Sequence, residues 1–165
     1  MSRKSHGAAG NFDVPLPLVL LSGAVGIEDR NAVAGGDQMV VTFANPVAVS
    51  GVSVTSGTGS VASFSVSGAV VTINLTGVTN AQRLGVTLAN VSDGANLGSV
   101  MVPMGVLLGD TSGNGTVNST DVSQAKAKSG QPVDATNFRT DITVSNSINA
   151  TDVSSVKSKT GTALP

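Results

Sequence analysis

From Asn11 to Leu108 the chain alternates short valine-rich apolar runs with breaks of Gly, Ser and Asn. Val52-Ser53-Val54-Thr55 and the stretch from Val70 to Leu75 alternate apolar and polar residues, the period of half-buried strands. The pattern predicts strands near 12–19, 38–44, 49–56, 60–67, 69–76, 84–90 and 99–107. Ser56-Gly57-Thr58-Gly59 and Ser67-Gly68 supply turn chemistry between strands. Asn45-Pro46 reads as a loop, and Thr79-Asn80-Ala81 as a loop holding a single helical turn. Seven short strands at this spacing predict an antiparallel sandwich.

Beyond Leu108 the pattern changes. Residues 109–131 and 140–162 are two copies of one segment, each a twelve-residue loop followed by a helix. Asp110 aligns with Asp141, Val117 with Ile148, Asn118 with Asn149 and Asp121 with Asp152. The loops have the spacing of an EF-hand, which presents oxygen at positions 1, 3, 5, 7, 9 and 12 and turns at position 6. In the first loop those positions are Asp110, Ser112, Asn114, the Thr116 carbonyl, Asn118 and Asp121, with Gly115 at the turn. In the second they are Asp141, Thr143, Ser145, the Ser147 carbonyl, Asn149 and Asp152, with Asn146 at the turn. An all-oxygen set suits a hard cation such as calcium and disfavours zinc or copper. Only two positions per loop are carboxylates, so the expected affinity is weak, about 10⁻⁴ to 10⁻³ M at the loose end. A competing reading makes both loops polar turns that cap helices, since Asn118-Ser119-Thr120-Asp121 has that chemistry too. Repetition of the oxygen pattern in register favours the metal.

These loops, D-T-S-G-N-G-T-V-N-S-T-D-V at 110–122 and D-I-T-V-S-N-S-I-N-A-T-D-V at 141–153, resemble the type I dockerin family. The resemblance implies calcium binding and docking onto a cohesin-type protein partner; calcium in each loop is expected to fix its helix antiparallel to the other. The resemblance also implies recognition through Ser119, Thr120 and Lys126 in the first copy and Ala150, Thr151 and Lys157 in the second. The chain departs from the family in its sparse carboxylates and in its second loop. The whole chain is also similar to a C-terminal module of large secreted bacterial proteins, an immunoglobulin-like sandwich followed by a dockerin-like repeat. RKSHGAAGNFDVPLPL, VTFANPV, SVTSGTGSV, LTGVTNAQ, MGVLLGD and TNFRTD carry that similarity. The expected fold is therefore mainly β with a small α module. An antiparallel immunoglobulin-like sandwich spans 1–108, and two EF-hand-like loop-helix repeats span 109–165. Met104–Leu108 runs into Asp110 without a flexible linker, so the modules are expected to pack, with Phe138 as the aromatic of the smaller core.

Composition narrows the function. Aromatics are 2 % of the chain, so the core rests on Val, Leu, Ile and Ala, and a sugar-binding platform is disfavoured. Charged residues are 12 %, as is common in exported β proteins, and a net charge of −1 offers no footprint for nucleic acid. With no cysteine, metal is the natural staple for a small module. No run approaches the ~18 apolar residues of a membrane span. Residues 3–24 mimic a signal peptide, but Asp13, Pro15 and Pro17 interrupt the apolar stretch, and FDVPLPL reads as an edge strand. Export would then need a signal upstream, on a longer parent polypeptide.

No catalytic arrangement is expected. His6 is the only histidine and lies near the terminus, away from any rigid nucleophile. Glu28-Asp29-Arg30 reads as a surface turn, and Gly113-Asn114-Gly115 lacks the Lys-Ser/Thr of a phosphate loop. A covalent cross-link from Lys4 has no partner that the sequence can name. The expected function is a calcium-stabilised, non-enzymatic docking module at the end of a secreted or cell-surface protein. The alternatives are a structural spacer or sorting module, and a carbohydrate-binding sandwich.

Overall fold

Period-two alternation builds two sheets whose apolar faces meet. The computed structural model describes residues 1–18, 25–31 and 36–165. Strands β1 (Ser2–Ser5), β2 (Asn11–Val14), β4 (Asp37–Thr42), β6 (Ser60–Ser67) and β7 (Val70–Thr76) form one sheet in the order β2-β1-β4-β7-β6. The second contains β3 (Ile27–Glu28), β5 (Gly51–Ser56), β8 (Gln82–Ser92) and β9 (Leu97–Val106) in the order β3-β9-β8-β5. All pairings are antiparallel except β3 with β9. Met39 and Val41 of β4 and Ile73 and Leu75 of β7 share one core with Leu84, Val86 and Leu88 of β8 and Met104 of β9. Burying such a side chain contributes about 1.5–3 kcal/mol, and partly buried Phe43 packs against this mainly aliphatic layer.

The N-terminal segment differs from its expectation. The strand expected over 12–19 is confined to Asn11–Val14 at the sheet edge, ahead of Pro15 and Pro17, and residue 19 lies outside the described residues. β1 carries no apolar signal, because its inward residues are polar, and β3 is only two residues long. Ser2 and Lys4 are buried: the Ser2 hydroxyl donates to Glu28 at 2.5 Å, and the Lys4 ammonium pairs with Asp37. Thr79-Asn80-Ala81 forms bends in place of a helical turn, with Ala81 at φ 57°.

Past β9 the chain forms helix α1 (Ser119–Lys128), a short 3-10 turn (Phe138–Thr140) and helix α2 (Ala150–Lys159), and the two helices pack together. A second core joins Ile27 and Leu107 of the β region to Val117, Ala125, Ile142, Val153 and Val156 of the repeats. Gly109 stands at this junction with φ 91°, and a Cβ there would lie 3.3 Å from the Val156 Cα. A side chain at this position would meet both left-handed strain and the α2 backbone. Phe138 stacks on Phe12 with centroids 5.3 Å apart and planes 8° apart, so it joins the repeats to the sandwich and does not fill the smaller core.

Candidate metal centre

Each loop ends where its helix begins, and the position-12 aspartate serves both. Asn118 and Asn149 are the N-caps, accepting from the Thr120 and Thr151 amides at 2.8 Å. Asp121 and Asp152 close the capping boxes, accepting from the Asn118 and Asn149 amides at 2.9 Å. The capping chemistry of the competing reading is therefore present, together with a convergence of the loop ends.

In the first loop the Ser112 amide donates to Asp121 Oδ1 at 2.9 Å, while the Ser112 hydroxyl donates to Asp110 Oδ1 at 3.1 Å. Positions 1, 3 and 12 are thereby brought together. Asp110 also accepts from the Asn114 and Gly115 amides, which wraps the loop around it. Asn114 Oδ1 accepts from the Thr116 amide and hydroxyl, and Asn118 Oδ1 is committed to its cap, so positions 5 and 9 bond along the loop rim. The second loop repeats the amide wrap and the capping aspartate, but its position-3 hydroxyl turns to position 12 instead of position 1. Asp141 accepts from the Ser145 and Asn146 amides, and Asp152 Oδ1 accepts from the Thr143 amide at 2.9 Å and hydroxyl at 2.8 Å. The Ser145 hydroxyl donates to the Ser147 carbonyl at 3.1 Å.

The turns match as well. Gly113 and Gly115 have φ of 71° and 86°, and Val144 and Asn146, their counterparts, have 55° and 70°. A β-branched residue in this region is strained, by about 1–2 kcal/mol, yet the second loop keeps the backbone of the first. Reciprocal bonds lock the copies together: Gly161 donates to the Val117 carbonyl at 2.9 Å and Gly130 to the Ile148 carbonyl at 2.8 Å. The apolar position-8 residues therefore meet the end of the other helix.

Asp110, Asp121, Asp141 and Asp152 are all fully buried. Among the described residues none of the four has a Lys or Arg side chain within ion-pair distance; Asp141 pairs with the His6 imidazole instead. Two buried carboxylates facing one loop without a counter-charge are costly, and a hard cation among the surrounding oxygens would offset that cost. Among the described residues no three His, Cys, Asp or Glu side chains cluster, so neutral oxygens must complete any ligand set. The residues fit calcium on these grounds and would bind it weakly.

The surroundings correct two expectations. Glu28-Asp29-Arg30 is completely buried where a surface turn was expected, and so is His6. Arg30 grips Glu28 through Nε and Nη2, both at 2.8 Å, and its guanidinium lies 5.0 Å from the Phe138 ring centroid. Burial pushes the Glu28 carboxyl up, but the hydrogen bonds and charge of Arg30 more than offset it and hold the group below its usual range. Asp29 differs: Arg139 lies 3.0 Å from one of its oxygens, yet neither accepts a hydrogen bond. Burial outweighs that cation and holds the Asp29 carboxyl well above its usual range. Arg139 spends its other bonds on the Asp110, Thr111 and Ile27 carbonyls, tying the first loop to β3. The charge cluster in an otherwise neutral stretch, with the lone histidine, was the available sequence signal for this network.

Ser119, Thr120, Lys126, Ala150, Thr151 and Lys157 are all exposed, as residues of a docking face must be. Lys128 and Lys159 are partly covered.

A family model, the dockerin type I domain, matches residues 108–159. Such domains bind calcium through EF-hand-like loops, dock onto cohesins and are non-catalytic. They occur in extracellular bacterial proteins. No curated protein and no solved structure matches the chain. Among the described residues no helix is long and apolar enough to cross a membrane.

Proposed function

We propose that this chain is a calcium-stabilised docking module of a secreted bacterial protein, with an immunoglobulin-like sandwich over 1–108 carrying a dockerin pair over 109–165. The observation that carries this reading is the pairing of buried aspartates at loop positions 1 and 12, made twice, in the segment matched by the dockerin model. Asp110, Ser112, Asn114, the Thr116 carbonyl, Asn118 and Asp121 would hold one ion. Asp141, Thr143, Ser145, the Ser147 carbonyl, Asn149 and Asp152 would hold the other. Bound calcium neutralises the carboxylates. The chain's own contribution is the amide wrap that aims each position-1 aspartate, and the capping that starts each helix where its loop ends.

Ser119, Thr120 and Lys126, with Ala150, Thr151 and Lys157, form the proposed partner-binding face. Capture on a panel of cohesins in calcium and in EGTA tests it. Thr120→Ala combined with Thr151→Ala should weaken capture about tenfold or more, since hot-spot truncations cost upwards of 1–2 kcal/mol. Unchanged capture by the variant would remove these residues from the face. The spacer reading draws on the core shared between sandwich and repeats, and silence across the whole panel would favour it.

A further inference from the structure

The second loop has the weaker ligand types, and its position-1 carboxylate is the one contacted by the N-terminal segment. His6, fully buried, sits with Nδ1 2.7 Å from Asp141 Oδ2 and Nε2 3.1 Å from Arg30 Nη1. A guanidinium only donates, so Nε2 accepts and Nδ1–H donates to the aspartate. Phe12 contacts the imidazole edge-on with centroids 5.3 Å apart, which fixes the ring. Three residues on, the Ala9 amide donates to Asn146 Oδ1 at 2.7 Å, at the turn of the same loop. The Asn31 amide donates to the Ile142 carbonyl at 2.7 Å.

Comparison with the first loop isolates what His6 adds. Asp110 Oδ2 accepts only from the Gly115 amide, whereas Asp141 Oδ2 accepts from the equivalent Asn146 amide and from His6. A carboxylate oxygen accepts about two such bonds, so Oδ2 of Asp141 is filled. Oδ1, which takes only the Ser145 amide, is left with capacity for a cation.

Building on the calcium reading above, we propose that the N-terminal arm, residues 1–14, is part of the second metal site, with His6 as the positioning residue for Asp141. The arm pre-organises a loop whose serine and threonine ligands and strained Val144 would otherwise bind poorly. By linkage, an ion in that loop clamps the arm, and with it the sandwich, onto the repeats. Removing a hydrogen-bond partner of a metal-ligating side chain typically costs 10–100-fold in metal affinity.

The test is a calcium titration of the full chain followed by amide NMR at Gly115 and Asn146, the turn residues of the two loops. His6→Ala should raise the calcium concentration at the Asn146 midpoint about tenfold or more and leave the Gly115 midpoint in place. His6→Asn, whose side-chain amide can donate where Nδ1–H does, should recover most of the loss. In the unsubstituted protein, calcium should slow hydrogen exchange at the Ala9 amide. Equal Asn146 midpoints in wild type and His6→Ala overturn the proposal. Should His6→Ala fail to fold, Ala9 exchange indifferent to calcium while Asn146 responds overturns it equally. A response at neither loop overturns the calcium reading itself.

Discussion

Asp29 is a buried carboxyl whose oxygens accept no hydrogen bond, and its environment makes it a source of pH dependence. Below about pH 4 it is protonated in folded and unfolded chains alike and contributes nothing to the difference. Above about pH 4 the unfolded chain releases the proton while the folded chain, with its raised pKa, retains it. Stability therefore falls as pH rises, until the folded group also ionises. Asp29→Asn titrates in neither state. Urea unfolding between about pH 4 and 7, with chelator present so that metal does not contribute, should show a shallower decline in the variant. Identical slopes would mean that Asp29 ionises normally in the fold.

At the scale of elements, the two loop-helix junctions carry separable contributions. Asn118→Ala and Asn149→Ala each remove an N-cap acceptor and should cost about 1 kcal/mol in chelator, with lost helicity by circular dichroism. A cost below about 0.3 kcal/mol would mean that the capping aspartates alone start the helices. These junctions were legible in the sequence because Asn118 and Asp121 recur as Asn149 and Asp152 at the same spacing, each pair followed by an apolar residue, Val122 and Val153. The strands from β4 to β9 were legible because their inward residues are apolar. β1 was not: Arg3 and Ser5 alternate with Ser2 and Lys4, and hydropathy cannot reveal that Glu28 and Asp37 await the inward pair. Nor does sequence spacing alone reveal that Val144 would take the left-handed turn held by Gly113 in the first copy.

Across the whole molecule, β region and repeats do not behave as beads on a string. Ile27 and Leu107 lie in the repeats' core, Arg139 reaches back to β3, and His6 reaches forward to the second loop. The direct run from β9 into Asp110 hinted at packing, but contacts spanning more than a hundred residues leave no local trace. A shared core predicts one cooperative transition in calorimetry, with calorimetric and van't Hoff enthalpies equal. Two resolved transitions would mean that the repeats unfold independently of the sandwich.

Thermal unfolding of the full chain in millimolar calcium and in EGTA, with an Asp110→Ala, Asp121→Ala variant alongside, asks whether the loops are calcium sites at all. Millimolar calcium, about 1–10 times the dissociation constant expected of such loops, adds about 0.4–1.4 kcal/mol per site. For a chain of this size that raises the midpoint by about 2–4 °C per kcal/mol. A calcium-dependent rise of that order is expected, with the first loop's share lost in the variant. An identical midpoint in calcium and EGTA would contradict it, and would reduce both loops to polar turns that cap their helices.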